Sequence, residues 1–129
     1  MNRKTYKELS KEIDNRAIEV FESFNEVIFE YEENGKTDEY FKRLKKARKD
    51  LIIALIANKR MAELLREQHK AVAKSNMGLF TKIKLSYYIA KTHNYYASCS
   101  EVLTETAKEN GILGENETKI NIREVLENE

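Results

Sequence analysis

Apolar residues recur at Tyr6, Leu9, Ile13, Ala17, Val20, Phe24, Val27 and Tyr31. Steps of three and four place them on one stripe of a helix. Ile18, Phe21 and Ile28 widen the stripe, as the broad face of a bundle helix requires. Thr5 and Glu8 have the spacing of a capping box, in which each side chain satisfies the other's free backbone N–H. Asn34-Gly35 supplies residues that tolerate the left-handed conformation of a helix end. The pattern predicts a first helix over about 5–33.

Thr37 then stands as an N-cap, with Asp38 and Glu39 at the positive end of the following helix. A second stripe runs through Leu44, Ala47 or Arg48, Leu51, Leu55, Asn58, Ala62, Leu65 and Val72, predicting a helix over 38–75. The short loop folds the two helices back antiparallel. Pairing outward from the turn matches Tyr31 with Tyr40, Val27 with Leu44, Val20 with Leu51, Ala17 with Leu55 and Leu9 with Ala62. A break at Ser75-Asn76-Met77-Gly78 precedes a third helix over 79–109, with an expected inward stripe of Phe80, Ile83, Tyr87, Ala90, Asn94, Ala97 and Val102. Asn110-Gly111 ends it. The expected fold is therefore all-α: a long antiparallel three-helix bundle over 1–111 with a short C-terminal helix or tail over 112–129. In that appendage a short helix using Ile122, Val125 and Leu126 is preferred to a strand over 118–123.

The run Leu51 to Ala57 is apolar at every position, so it is apolar around the whole circumference. Two flanking helices cover about two faces of a middle helix. Ile52, Ile53 and Ile56 are therefore expected to be covered by something further, either a second copy in a homodimer or the tail. Asn58 lies on the core stripe, where it either fixes register or reaches out to water.

Composition agrees with few, long elements: the chain has no proline and four glycines. The apolar run is far short of the roughly 20 residues a membrane span needs, and no apolar leader follows the N-terminal charges. One cysteine, Cys99, fits a reducing cytoplasm. The lysine and asparagine bias suggests an AT-rich bacterial or phage genome.

Net charge is +1 but segregated: −5 over 1–40, +11 over 41–100 and −5 over 101–129. The cationic run at 42–49 lies at the positive end of the second helix. Glu30, Glu32 and Glu33 lie at the negative end of the first. An antiparallel hairpin sets these two misfits side by side, with Glu105 and Glu109 brought toward Lys45 and Lys49, so they largely cancel. The opposite pole gathers Lys4, Lys7, Arg66, Lys70, Lys74, Lys82 and Lys84 against few carboxylates. Such a pole concentrates anionic partners and contacts phosphates without reading bases.

No catalytic or cofactor motif appears. His69 and His93 have no metal-ligand spacing and read as surface or edge residues. Cys99 reads as a semi-buried thiol. Most of Tyr87, Tyr88, Tyr95 and Tyr96 read as core and rim residues, Tyr88 and Tyr95 as the pair that shares an exposed groove. The expected function is a non-enzymatic binding protein without metal or cofactor. It recruits DNA or RNA at the basic pole. The alternative is a protein–protein module, such as an inhibitor, immunity protein or phage-encoded antagonist, acting through exposed apolar residues of the second helix and the tail.

Overall fold

The computed structural model describes residues 5–114 of the 129-residue chain. They form three helices: α1 Tyr6–Asn34, α2 Asp38–Lys74 and α3 Leu79–Glu109. Lys4 and the expected short helix over 121–126 lie outside the described residues. α2 spans about 55 Å at ~1.5 Å per residue, and both α1 and α3 pack along it. Among the described residues, no helix is long and apolar enough to cross a membrane.

The ends form for local reasons. Thr5 Oγ1 accepts from Glu8 N at 3.2 Å. Thr37 acts twice: its Oγ1 accepts from Tyr40 N at 3.0 Å and donates to Glu30 Oε1 at 2.8 Å. The cap of α2 is thereby tied to the last turn of α1. Gly35 stops α1 at φ 75°, a left-handed conformation that favours glycine.

The hairpin register follows the stripes. Tyr31 and Tyr40 meet with ring centroids 5.8 Å apart. Val20, Phe24 and Val27 share one core cluster with Tyr40, Ala47, Leu51 and Ala54, with Leu44 and Leu55 packed against it. Leu9 and Ile13 share a second with Ala57, Met61, Leu65 and Tyr96. Each fully buried side chain of this kind contributes about 1.5–3 kcal/mol relative to exposure. α1 and α3 meet through Tyr96. Its hydroxyl donates to Ser10 Oγ at 3.1 Å and its ring stands edge-on to Tyr6.

Charge at the α1–α2 end is absorbed by the fold. Arg43 Nε pairs with Glu39 at 3.0 Å, and its Nη1 reaches the buried Glu30 at 3.7 Å and Glu26 O at 3.3 Å. Lys46 pairs with Asp50 at 3.3 Å, and Ser23 Oγ donates to the same carboxylate. Arg48 Nη1 donates to Ile112 O at 2.8 Å. Glu105 pairs within α3, with Lys108 at 3.7 Å.

Three expectations need correction, and a fourth, open between two alternatives, is decided. Ile52 is fully buried within the single chain, and Ile53 and Ile56 are half-buried. Ile52 is thus buried without a second copy of the chain. The exposed isoleucine ladder expected of a helix 2 dimer is absent. Second, the expected inward stripe of α3 points outward: Phe80 is 88 % exposed, Tyr87 62 %, Ile83 58 % and Val102 56 %. The buried residues of α3 are Tyr96, Leu103 and Ala107. Apolar residues occur on several sides of α3, so spacing alone does not fix its inner face. Third, the core extends past Gly111. Ile112 and Leu113 are buried in the cluster around Phe24, and their N–H groups donate to Ala107 O at 2.8 and 3.2 Å. Fourth, Asn58 does not reach water. It is 4 % exposed, and neither amide atom meets a hydrogen-bond partner among the described residues.

A candidate anion-binding groove between α2 and α3

Ala73, His69, Ile83 and Tyr87 line one depression at the α2–α3 seam, and Arg66, His69 and Ala90 line the next. Along this seam two depressions of about 640 and 390 Å³ share His69 and Ala90, so they form one trough. From Lys82 to Asn94 its length is about 18 Å at ~1.5 Å per residue. Leu65, Ala73, Ile83, Ile89 and Ala90 supply apolar walls. Arg66, His69, Lys70, Lys82 and His93 supply every ionisable side chain of the lining apart from the Tyr87 phenol; no carboxylate lines it. Glu63 and Glu67, on the same stretch of α2, stand outside the lining.

The helix ends explain part of this placement. Lys82 Nζ donates to Ala73 O at 3.3 Å, so a cation from the first turn of α3 sits at the carbonyl end of α2. That is the end where a helix dipole favours positive charge. Ser75 closes α2, its Oγ donating to Val72 O at 2.7 Å. The turn is thus held on both sides, which fixes the spacing of the two cationic rows.

Of the residues expected at the basic pole, Arg66, Lys70 and Lys82 are brought together in the trough. Lys7, Lys74 and Lys84 are exposed but do not line it. Arg60 at the same pole stands 3.9 Å from Glu12. His69 and His93, expected as unconnected edge residues, line the same depression. Tyr87 and Ile83, expected in the core, line the trough with much of their surface open. Spacing defines the two strips but does not say that they face each other. Arg66, His69 or Lys70, and Ala73 follow helical steps on one strip of α2, and Lys82, Ser86, Ala90 and His93 do so on α3.

Three tyrosines outside the trough are linked. Tyr6 has its pKa raised, first by its hydrogen bond with Tyr96, then by burial, then by the neighbouring phenols of Tyr96 and Tyr95. Tyr95 is also raised, chiefly by the charge of Cys99 and a hydrogen bond with that thiol, with Asp14 adding to it. Cys99 is half-buried. Among the described residues no three His, Cys, Asp or Glu side chains gather as a metal ion would require.

The trough can hold an elongated anion that also carries apolar surface: cations along both rims meet charge, and the aliphatic walls and the Tyr87 ring meet flat or apolar groups. Comparison with protein-family models, with curated proteins and with solved structures finds no match for this chain.

Proposed function

We propose that this is a non-enzymatic binding protein that takes single-stranded nucleic acid along the α2–α3 trough. The observation that carries the reading is the cationic set Arg66, Lys70 and Lys82, with the His69 and His93 imidazoles beside it, around an apolar floor and without a carboxylate in the lining. Phosphates would run along the basic rims. Bases would lie against Tyr87 and the aliphatic walls, a sequence-tolerant mode of contact. Lys74 and Lys84, exposed beside the turn, extend the positive field and steer the approach.

The test is fluorescence anisotropy of a labelled single-stranded oligonucleotide over a salt series. Three neutralised phosphates give a log–log slope of about −2 for a single strand. The triple variant Arg66→Ala, Lys70→Ala, Lys82→Ala should lose at least tenfold in affinity and flatten that slope. No binding at low salt, or binding indifferent to salt, refutes the reading.

A protein partner is the second reading, favoured by Leu79 at 71 % and Phe80 at 88 % exposure beside the trough. An inhibitor, immunity protein or phage-encoded antagonist would use these apolar residues of α3 rather than Ile52 of α2. Its affinity would fall on Phe80→Ala and change little with salt.

A further inference from the structure

The outward side of α3 carries a second pattern. Lys84, Tyr88, Lys91, Tyr95, Ser98, Val102, Glu105 and Glu109 follow one another in steps of three and four, and every one of them is exposed. They make two interleaved sevenfold series: Lys84, Lys91, Ser98, Glu105 and Tyr88, Tyr95, Val102, Glu109. That is the spacing of a coiled-coil seam. The seam lies largely open among the described residues: Tyr88 is 53 % exposed, Tyr95 61 % and Val102 56 %, with Tyr95 hydrogen-bonded to Cys99 and Glu105 paired with Lys108 along the same helix. It is also polar end to end. From Leu79 to Ser100 α3 has no acidic residue and carries Lys82, Lys84 and Lys91; beyond that point it carries Glu101, Glu105 and Glu109 with Lys108 alone opposing them.

We infer that this stripe is a self-association surface, on which α3 of a second copy lies antiparallel. Reversal is what makes the stripe complementary to itself. Read forwards, it runs cation, tyrosine, cation, tyrosine, serine, valine, acid, acid. Laid against a reversed copy about a centre between Tyr95 and Ser98, Lys84 falls opposite Glu109, Tyr88 opposite Glu105, Lys91 opposite Val102 and diagonal to Glu105, and Tyr95 opposite Ser98. A parallel pairing would stack cation on cation and acid on acid. The arrangement is isologous, each contact occurring twice, as in most homodimers. A seam about 38 Å long at ~1.5 Å per residue and about 12 Å wide buries ~450 Å² on each copy. The total of ~900 Å² falls below the ~1,000 Å² that a stable specific interface clears and in the range of weak, transient contacts, so the dimer is one that dissociates on dilution.

The stripe is separate from the trough. Arg66, His69, Lys70 and Lys82 take no part in it; Lys84 alone is common to both, and the Glu105 and Glu109 reversal leaves it in place, so failure of one reading leaves the other standing.

The experiment is sedimentation velocity across a concentration series on the full chain and two double charge reversals, with circular dichroism to verify that helicity is retained. Lys84→Glu with Lys91→Glu makes both ends of the stripe acidic; Glu105→Lys with Glu109→Lys makes both ends basic. The unaltered protein should sediment as a concentration-dependent dimer, and each reversed variant should weaken the dimer at least tenfold. Mixed in equal amounts, the two variants should recover a dimer, because every end then faces its opposite. A monomer at all concentrations overturns the inference and leaves the stripe to a different partner. So does a dimer that both reversals leave unchanged, or a mixture that stays monomeric.

Discussion

Replacing Asn58 with leucine should make this protein more stable. The side chain sits on α2 in line with Ala54, Met61 and Leu65, all buried, and has only 4 % of its surface exposed. Its carboxamide brings one acceptor and two donors into that layer, and neither Nδ2 nor Oδ1 finds a hydrogen-bond partner among the described residues. A buried polar group without a partner costs about 1–3 kcal/mol. Leucine has the same branching and no polar atoms, and its helix propensity is better by roughly 0.4 kcal/mol. Its larger methyl groups offset part of this, because overpacking a tight core costs on the order of 1 kcal/mol. The balance is a gain of about 1–2 kcal/mol, or a rise in Tm of roughly 4–10 °C for a domain of this size. Asn58→Ala is the control: it removes the amide without adding volume and should be neutral or slightly stabilising. Thermal and urea unfolding followed by circular dichroism at 222 nm measure both variants. If both lose stability by about 1 kcal/mol or more, the amide is bonded in solution and the reasoning is wrong.

Ile112→Ala should lower stability by about 2–5 kcal/mol, as for other buried aliphatic truncations, and a chain ending at Gly111 should show a similar fall in its urea midpoint because it also loses Leu113. Unchanged midpoints would return these residues to the appendage. Glu30→Ala removes a buried carboxylate that accepts from Thr37 Oγ1 at 2.8 Å and Asn34 Nδ2 at 3.2 Å; a cost of about 2–3 kcal/mol is expected from urea unfolding, and a neutral result would show that the turn does not depend on it. Tyr6 ionises later in the folded chain than in the unfolded one. Its contribution is therefore present below the unfolded pKa of about 10 and is lost as pH rises through the folded value. Tyr6→Phe should flatten the decline in stability above that pH, and superimposable pH profiles for the two proteins would contradict this sign.

The first hairpin was legible because two independent signals agree there. Its stripes are strongly periodic, and the turn Asn34 to Thr37 sets their register, so Tyr31 falls opposite Tyr40 without adjustment. The basic pole was legible as a composition, though not as a shape. Arg66, Lys70 and Lys82 were named from charge alone, while His69, His93 and Tyr87 were not joined to them. Seeing the trough requires knowing how α3 is rotated about its axis, and that is where spacing fails. Phe80, Ile83, Tyr87 and Val102 make as good a stripe as Ile89, Tyr96, Leu103 and Ala107; tertiary packing chose the second. The same ambiguity misdirected the reading of Ile52. An apolar circumference calls for further cover but does not say whether a second copy or the tail supplies it; Ile52 is buried within the single chain, and Ile112 and Leu113 fold back onto the neighbouring Leu51 and Ala54 cluster. Asn58 was undecided because a polar residue on a stripe carries no sign of its depth.

The lopsided anchoring of α3 has a dynamic consequence. No residue from Leu79 to Tyr95 is buried, whereas Tyr96, Leu103 and Ala107 fasten the rest of the helix. The leading half can fray from α2 while both core clusters stay closed, a subglobal opening in the sense of native-state hydrogen exchange. Amides from Ile83 to Tyr95 should then exchange well before those around Leu103, and anything seated between the helices would slow them.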